Sequence, residues 1–137
     1  MEFITVEQFK EQPVGVQKVF LDWWKCEPFN IYAWCWNLKD NKWSIESCCN
    51  QIQADTINKG KTIGDIIPLF TEGQLRKFIE DKTNGKVESY YAWDNYTIAI
   101  RNTGCGGDDP QCDTEETNLL QAYWKLACMV AKEGLNG

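Results

Sequence analysis

The sequence predicts an α+β fold: a single domain over residues 1–137 in which an antiparallel sheet of about four strands, made by two hairpins, packs with helices and carries a long C-terminal helix. Three observations predict it. Two Thr-x-x-Gln capping boxes each open a segment of helical periodicity. Two stretches alternate with the two-residue period of strands around polar turns. A stripe of apolar residues then persists from Thr114 to Glu133 at three- and four-residue steps. A length of 137 residues suits one domain with a sizeable core.

In chain order, Thr5-Val6-Glu7-Gln8 starts a short helix that Pro13 breaks near Glu11, because proline lacks an amide hydrogen and disfavours a helical residue before it. The next helix covers Val14 to Lys25, with Val16, Val19, Phe20 and Trp23 inward and Trp24 at the margin. Asn30 to Leu38 reads as a strand with Ile31, Ala33 and Cys35 on one face and Tyr32, Trp34 and Trp36 on the other. Lys39–Lys42 turns it into a partner strand, Trp43 to Cys49. Asn50 to Lys61 is polar, weakly patterned and read as a connection, and Ile63, Ile66 and Ile67 as a helical turn stopped by Pro68.

Thr71-Glu72-Gly73-Gln74 opens a helix with Leu75, Phe78 and Ile79 inward, ended at Asn84-Gly85 with Gly85 free to take positive φ. Lys86 to Trp93 and Tyr96 to Arg101 form the second hairpin across Asp94-Asn95. Asn102 to Asp113 is a glycine-rich acidic loop, and the final helix runs from Thr114 to Glu133, stopped by Gly134. The order helix, hairpin, helix, hairpin, helix suggests two half-units.

The totals exclude several classes. With 14 Lys and Arg against 20 Asp and Glu the net charge is -6, which disfavours direct binding of nucleic acid. No run of about 18 apolar residues predicts a membrane span, and the first residues lack a signal-peptide pattern, so the expected location is the cytoplasm. Seven cysteines without CxxC spacing read as reduced, packed thiols. There is no histidine, so the commonest general base is missing. No catalytic residue, no metal ligand and no cofactor is assigned. The expected protein is not an enzyme.

The binding candidates are two groups. Asp108, Asp109, Asp113, Glu115 and Glu116 put five acids into nine residues, and residues from 105 onward hold six acids against two lysines. Carboxylates at the final helix's N-terminus explain the last three of the five structurally, while an acidic face for a basic partner explains all of them. Tyr32, Trp34 and Trp36 are the second group: a strand with rings on both faces must be covered on both or leave one face for a partner.

The segments Val19–Lys25, Ile66–Ile79 and Leu119–Cys128 resemble those of small accessory proteins encoded by phages and prophages of low-GC Gram-positive bacteria, Clostridium and its relatives. That resemblance implies host takeover, regulation or inhibition of a bacterial defence system such as CRISPR-Cas. The expectation is a protein that blocks a basic, nucleic-acid-binding defence effector through an acidic and aromatic surface, in the host bacterial cytoplasm. Two alternatives stand beside it. One is a non-catalytic structural or regulatory phage module, oligomeric or zinc-stapled through Cys48, Cys49, Cys105 and Cys112. The other is an enzyme acting on a small nucleotide or signalling molecule at Tyr90, Tyr91 and Asp94.

Overall fold

Each predicted hairpin becomes the centre of its own sheet. The structure, a computed structural model, describes residues 2–37, 39–61, 65–101 and 110–136. The fold is α+β, with helices and two three-stranded antiparallel sheets, so the described strands number six where about four were expected. Contacts divide the chain into two units, one spanning Thr5–Phe70 and the other Thr71 onward with the segment ending at Ile4. Among the described residues no helix is long and apolar enough to cross a membrane.

In the Thr5–Phe70 unit, α1 (Val6–Lys10) begins at the Thr5 box: Thr5 Oγ1 accepts from the Gln8 amide at 3.1 Å and Gln8 Oε1 from the Thr5 amide at 3.0 Å. Next comes α2 (Val14–Trp23), entered through Pro13. The hairpin β1 (Ile31–Asn37) and β2 (Lys42–Ser47) pairs with a bulge between Cys35 and Asn37, which falls at Trp36. After it come α3 (Gln51–Gly60) and β3 (Ile66–Pro68), in strand order β2-β1-β3. Two sequence readings are corrected here. The connection from Asn50 is a helix, and Ile66 and Ile67 are a strand, paired with Trp34 and Ala33; Ile63 lies outside the described residues.

The helix α3 escaped notice because only Ala54 of it is buried, so no apolar stripe marks it. Its stability is local and polar. Asn50 Oδ1 caps the Gln53 amide at 2.9 Å, Gln53 Oε1 accepts from the Cys49 amide at 2.7 Å, and Asn58 clamps both backbone groups of Cys26 at 2.7 and 3.0 Å. Replacing Asn50 by Ala is expected to cost about 1 kcal/mol, read as a lower urea midpoint with faster amide exchange confined to residues 51–60. An unchanged midpoint contradicts the cap.

The core of this unit is a ring cluster. Phe20 lies 6.1 Å from Phe9 and 5.6 Å from Phe70, centroid to centroid, and Trp23 meets Phe70 edge-on at 5.9 Å. The helical stripe is corrected at its end: α2 stops at Trp23, Trp24 takes an extended conformation and is buried, and Trp23 is half-buried.

In the Thr71 unit, α4 (Glu72–Thr83) starts at the second box and ends on Asn84, which takes the left-handed conformation expected of Gly85. The hairpin β4 (Lys86–Ala92) and β5 (Asn95–Arg101) is joined at the far edge of β5 by β6 (Gln111–Asp113), in order β4-β5-β6. The final helix, α5 (Leu119–Asn136), lies on this sheet, where Tyr123 Oη donates to Ser89 Oγ at 3.2 Å, and Tyr123, Ile98 and Val87 are all buried. It starts five residues later than Thr114, with Asn118 as its cap onto the Gln121 amide at 3.1 Å.

Burial also sets the alkaline limit of the fold. It pushes the Tyr32 phenol from 10.0 up to about 12, helped by the Glu46 charge, and the Cys128 thiol from 9.0 up to about 12. The Cys26 thiol is raised by burial and by Cys48 beside it. Since the folded values exceed the unfolded ones, the neutral forms are favoured by folding: their stabilisation is complete below pH 9 and erodes as pH climbs towards 12. Urea midpoints should therefore fall between about pH 8 and about pH 11. Equal midpoints would refute this burial.

Candidate functional site: an acidic and aromatic hairpin tip

The turn of the second hairpin is one residue earlier than the sequence suggests. Ala92 pairs with Asn95, leaving Trp93 and Asp94 as a two-residue loop with φ of 56° and 64°. Both central residues at positive φ define the mirror-image turn whose twist suits a hairpin, and its preferred occupants are Asn-Gly. A tryptophan there is strained, because a bulky Cβ crowds the backbone in the left-handed region. Its ring gains nothing in return within the fold: Trp93 is 95% exposed. Phe29 is likewise an exposed ring at positive φ, 73°, in the turn that Asn30 closes onto Glu27.

Strand register assembles the surroundings of Trp93. Tyr91 pairs with Tyr96, their rings meeting edge-on at 5.1 Å, and Tyr91 is exposed. On the opposite face Tyr90, Thr97 and Asp113 stand in one row across β4, β5 and β6, so Tyr90 and Asp113 are two strand spacings, about 10 Å, apart. Tyr90 Oη donates to Gln111 Oε1 at 3.2 Å, which draws the ring diagonally across the sheet towards the neighbouring row of Glu88, Ala99 and Gln111.

The acids follow from β6. Asp113 Oδ1 accepts from the Glu115 amide at 3.1 Å, and Glu115 takes φ of 59°. The turn is anchored by Thr114, fully buried, whose hydroxyl donates to the Tyr96 carbonyl at 2.7 Å, while the Tyr96 amide donates to the Glu116 carbonyl at 2.9 Å. These bonds tie the acidic turn to the start of β5, beside the tip. Asp94, Asp113, Glu115 and Glu116 form no ion pair among the described residues, whereas Glu88, towards the other end of the hairpin, is neutralised by Arg101 at 3.1 Å. One cation is near, the Lys125 ammonium, which donates to the Thr114 carbonyl at 2.8 Å.

The sequence-derived candidates are thus redistributed. Asp113 and Glu115 are exposed and Glu116 half-buried, and all three precede α5, so a helix N-terminus is not their reason for being there. Asp108 and Asp109 lie outside the described residues. Tyr32 is withdrawn as a contact residue: it is 4% exposed, with its hydroxyl donating to Glu46 at 3.2 Å and accepting from Gln53 of α3 at 2.9 Å. Trp34 and Trp36 are 40% and 55% exposed, but they belong to the Thr5–Phe70 unit and the acids to the other. The aromatic partners of the acids are Tyr90, Tyr91 and Trp93. The sequence hides Trp93 because strand alternation continues through it to Asp94-Asn95, whereas Ala92 pairs with Asn95 and puts it in the turn.

Chemically the tip offers flat rings and unpaired carboxylates, a combination that receives guanidinium groups by stacking and by charge. Three of the thiols, Cys26, Cys112 and Cys128, offer little nucleophilicity, since burial raises them and so disfavours thiolate. Among the described residues no group of three His, Cys, Asp or Glu is placed to hold a metal ion; Cys105 of the zinc alternative lies outside them. Comparison of the chain with protein-family models, with curated proteins and with solved structures finds no match.

Proposed function

We propose that this chain is a non-catalytic binding protein, a phage accessory protein acting in the host bacterial cytoplasm, that inhibits a basic, nucleic-acid-binding defence effector of the CRISPR-Cas kind. The observation that carries the binding reading is Trp93, a large ring held in strained backbone and 95% exposed, in the same unit as four carboxylates that form no ion pair among the described residues. Strain without a folding return is a mark of function. The phage origin and the defence target rest on the sequence resemblance. Arginine-rich surfaces built to hold phosphates present the groups that such a tip receives.

The test is co-expression with Gram-positive CRISPR effectors, scored by interference and by pull-down, followed by binding kinetics on the complex found. Reversing Asp94, Asp113 and Glu115 to Lys should slow association roughly tenfold at low salt and much less at high salt. Absence of any complex across the panel overturns the target, and salt-independent binding overturns the acidic tip.

The exposed pair Trp34 and Trp36 favours a second reading, a self-associating structural or regulatory module. Light scattering separates the two. A stable assembly dissolved by Trp34→Ser with Trp36→Ser supports self-association, and a monomer excludes it.

A further inference from the structure

A cleft of about 300 Å³ opens between α5 and the short strand β6. Its floor is Ile98 and Ile100, its helix wall Leu126, Met129 and Val130, and its strand wall Cys112. The cause is a mismatch of lengths. Ile98 and Cys112 are register partners and look to the same side, yet β6 has only three residues. Among the described residues the α5 stripe of Leu126, Met129, Val130 and Glu133, spaced as one helical face, therefore extends past β6. The cleft grades from buried Ile98 to exposed Met129, so it has a floor and a mouth.

Among the described residues Glu133 is the one charged group lining it. It stands in the last turn of α5, which carries no basic residue, although the carbonyl end of a helix favours cations and disfavours a carboxylate. Glu133 makes no ion pair among the described residues. A positive charge at the mouth would be favoured by both the carboxylate and the helix end. An apolar cavity of about 150 Å³ accepts benzene, so twice that volume suits about two fused rings. Met129 adds a polarizable sulfur, which favours an aromatic occupant, and Cys112, whose thiol burial keeps protonated, adds a second without adding charge.

We infer that this cleft is a binding site for a small aromatic amine, its rings between Met129 and Cys112 and its ammonium at Glu133. The inference does not rest on the function proposed for the hairpin tip, although Gln111, which lines the cleft, also accepts from Tyr90 of the tip.

Three probes of one shape test the site by calorimetry on the whole chain: naphthylmethylamine, naphthylmethanol and naphthoate. The amine should bind roughly two- to fivefold tighter than the alcohol, as one exposed ion pair allows, and the naphthoate should not bind. Glu133→Gln should abolish the difference between amine and alcohol. Met129→Trp should fill the mouth and remove binding of both, with an unchanged melting curve; if that variant melts without cooperativity, Glu133→Gln, which adds no bulk, carries the decision. Bound amine should slow maleimide labelling of Cys112, but not of exposed Cys49, in peptide mass spectra. No binding by any probe overturns the site, as does binding that leaves Cys112 unprotected. Equal binding of amine and naphthoate overturns the role of Glu133.

Discussion

Replacing Trp93 by Asn together with Asp94 by Gly should make the protein more stable and useless for partner capture. The stability gain follows from the turn. Both residues occupy positive φ, where Asn and Gly are the least strained occupants and where tryptophan costs on the order of 1 kcal/mol or more. Removing an indole that is 95% exposed forfeits no packing. The expected gain is about 1–2 kcal/mol, read as a higher urea midpoint at unchanged slope. The loss of binding follows from the same exposure, because a tryptophan at the centre of an interface typically contributes about 2 kcal/mol or more, a thirtyfold weakening when removed. A variant that is more stable and still binds at full strength would sink the hairpin tip as the site. One that is less stable would show that Trp93 supports the fold after all. Gain in one property against loss in the other is the signature of a residue retained for contact.

How much of this was legible in the sequence varies with the kind of force involved. Capping boxes at Thr5 and Thr71 were readable because they are local: the partners sit three residues apart and need no tertiary context. The hairpins were readable from their alternation, since each has a face that must be covered. What failed was whatever depended on something outside its own segment. The strands β3 and β6 have three residues each, too short to show a period, and both exist only because a longer neighbour offers an edge. Helix α3 is held by Asn50, Gln53 and Asn58 rather than by an apolar stripe, so counting hydrophobes overlooked it, although Asn50-x-x-Gln53 has the spacing of the two boxes that were found.

The site failed in the same way. The acids were located by composition, but their neighbours depend on register, and a one-residue shift of the turn moved Trp93 from strand to tip. Tyr32 alternates with Trp34 along β1 as expected. Its hydroxyl is held by Glu46 of the partner strand and Gln53 of α3, partners that the alternation along β1 does not reveal.

The adjacent pair Trp23 and Trp24 gives the sharpest stability test, because periodicity and geometry rank the two in opposite order. Counting along the helix puts Trp23 inside and Trp24 at the margin. The chain leaves the helix between them: Trp24 has φ of -68° and ψ of 120°, so helical spacing no longer says where its side chain goes. It turns inward to 2% exposure, with Nε1 donating to Asn30 Oδ1 at 3.3 Å and the Lys61 ammonium 5.8 Å from the ring centre. Lys61 also donates to the Trp24 carbonyl, so the residue is held from both its ends. Trp24→Ala should therefore cost about 3–5 kcal/mol, the range for deleting a fully buried large ring. Trp23→Ala removes a half-buried ring, its edge-on contact with Phe70 among its contacts, and leaves a half-solvated space, so it should cost less, about 1–2 kcal/mol. Far-UV circular dichroism in urea reads both without relying on tryptophan emission, and amide exchange within Thr5–Phe70 should rise far more for Trp24→Ala. Equal losses would mean that both rings share one core position. A larger loss for Trp23→Ala would restore the helical stripe and with it a helix extending past Trp24.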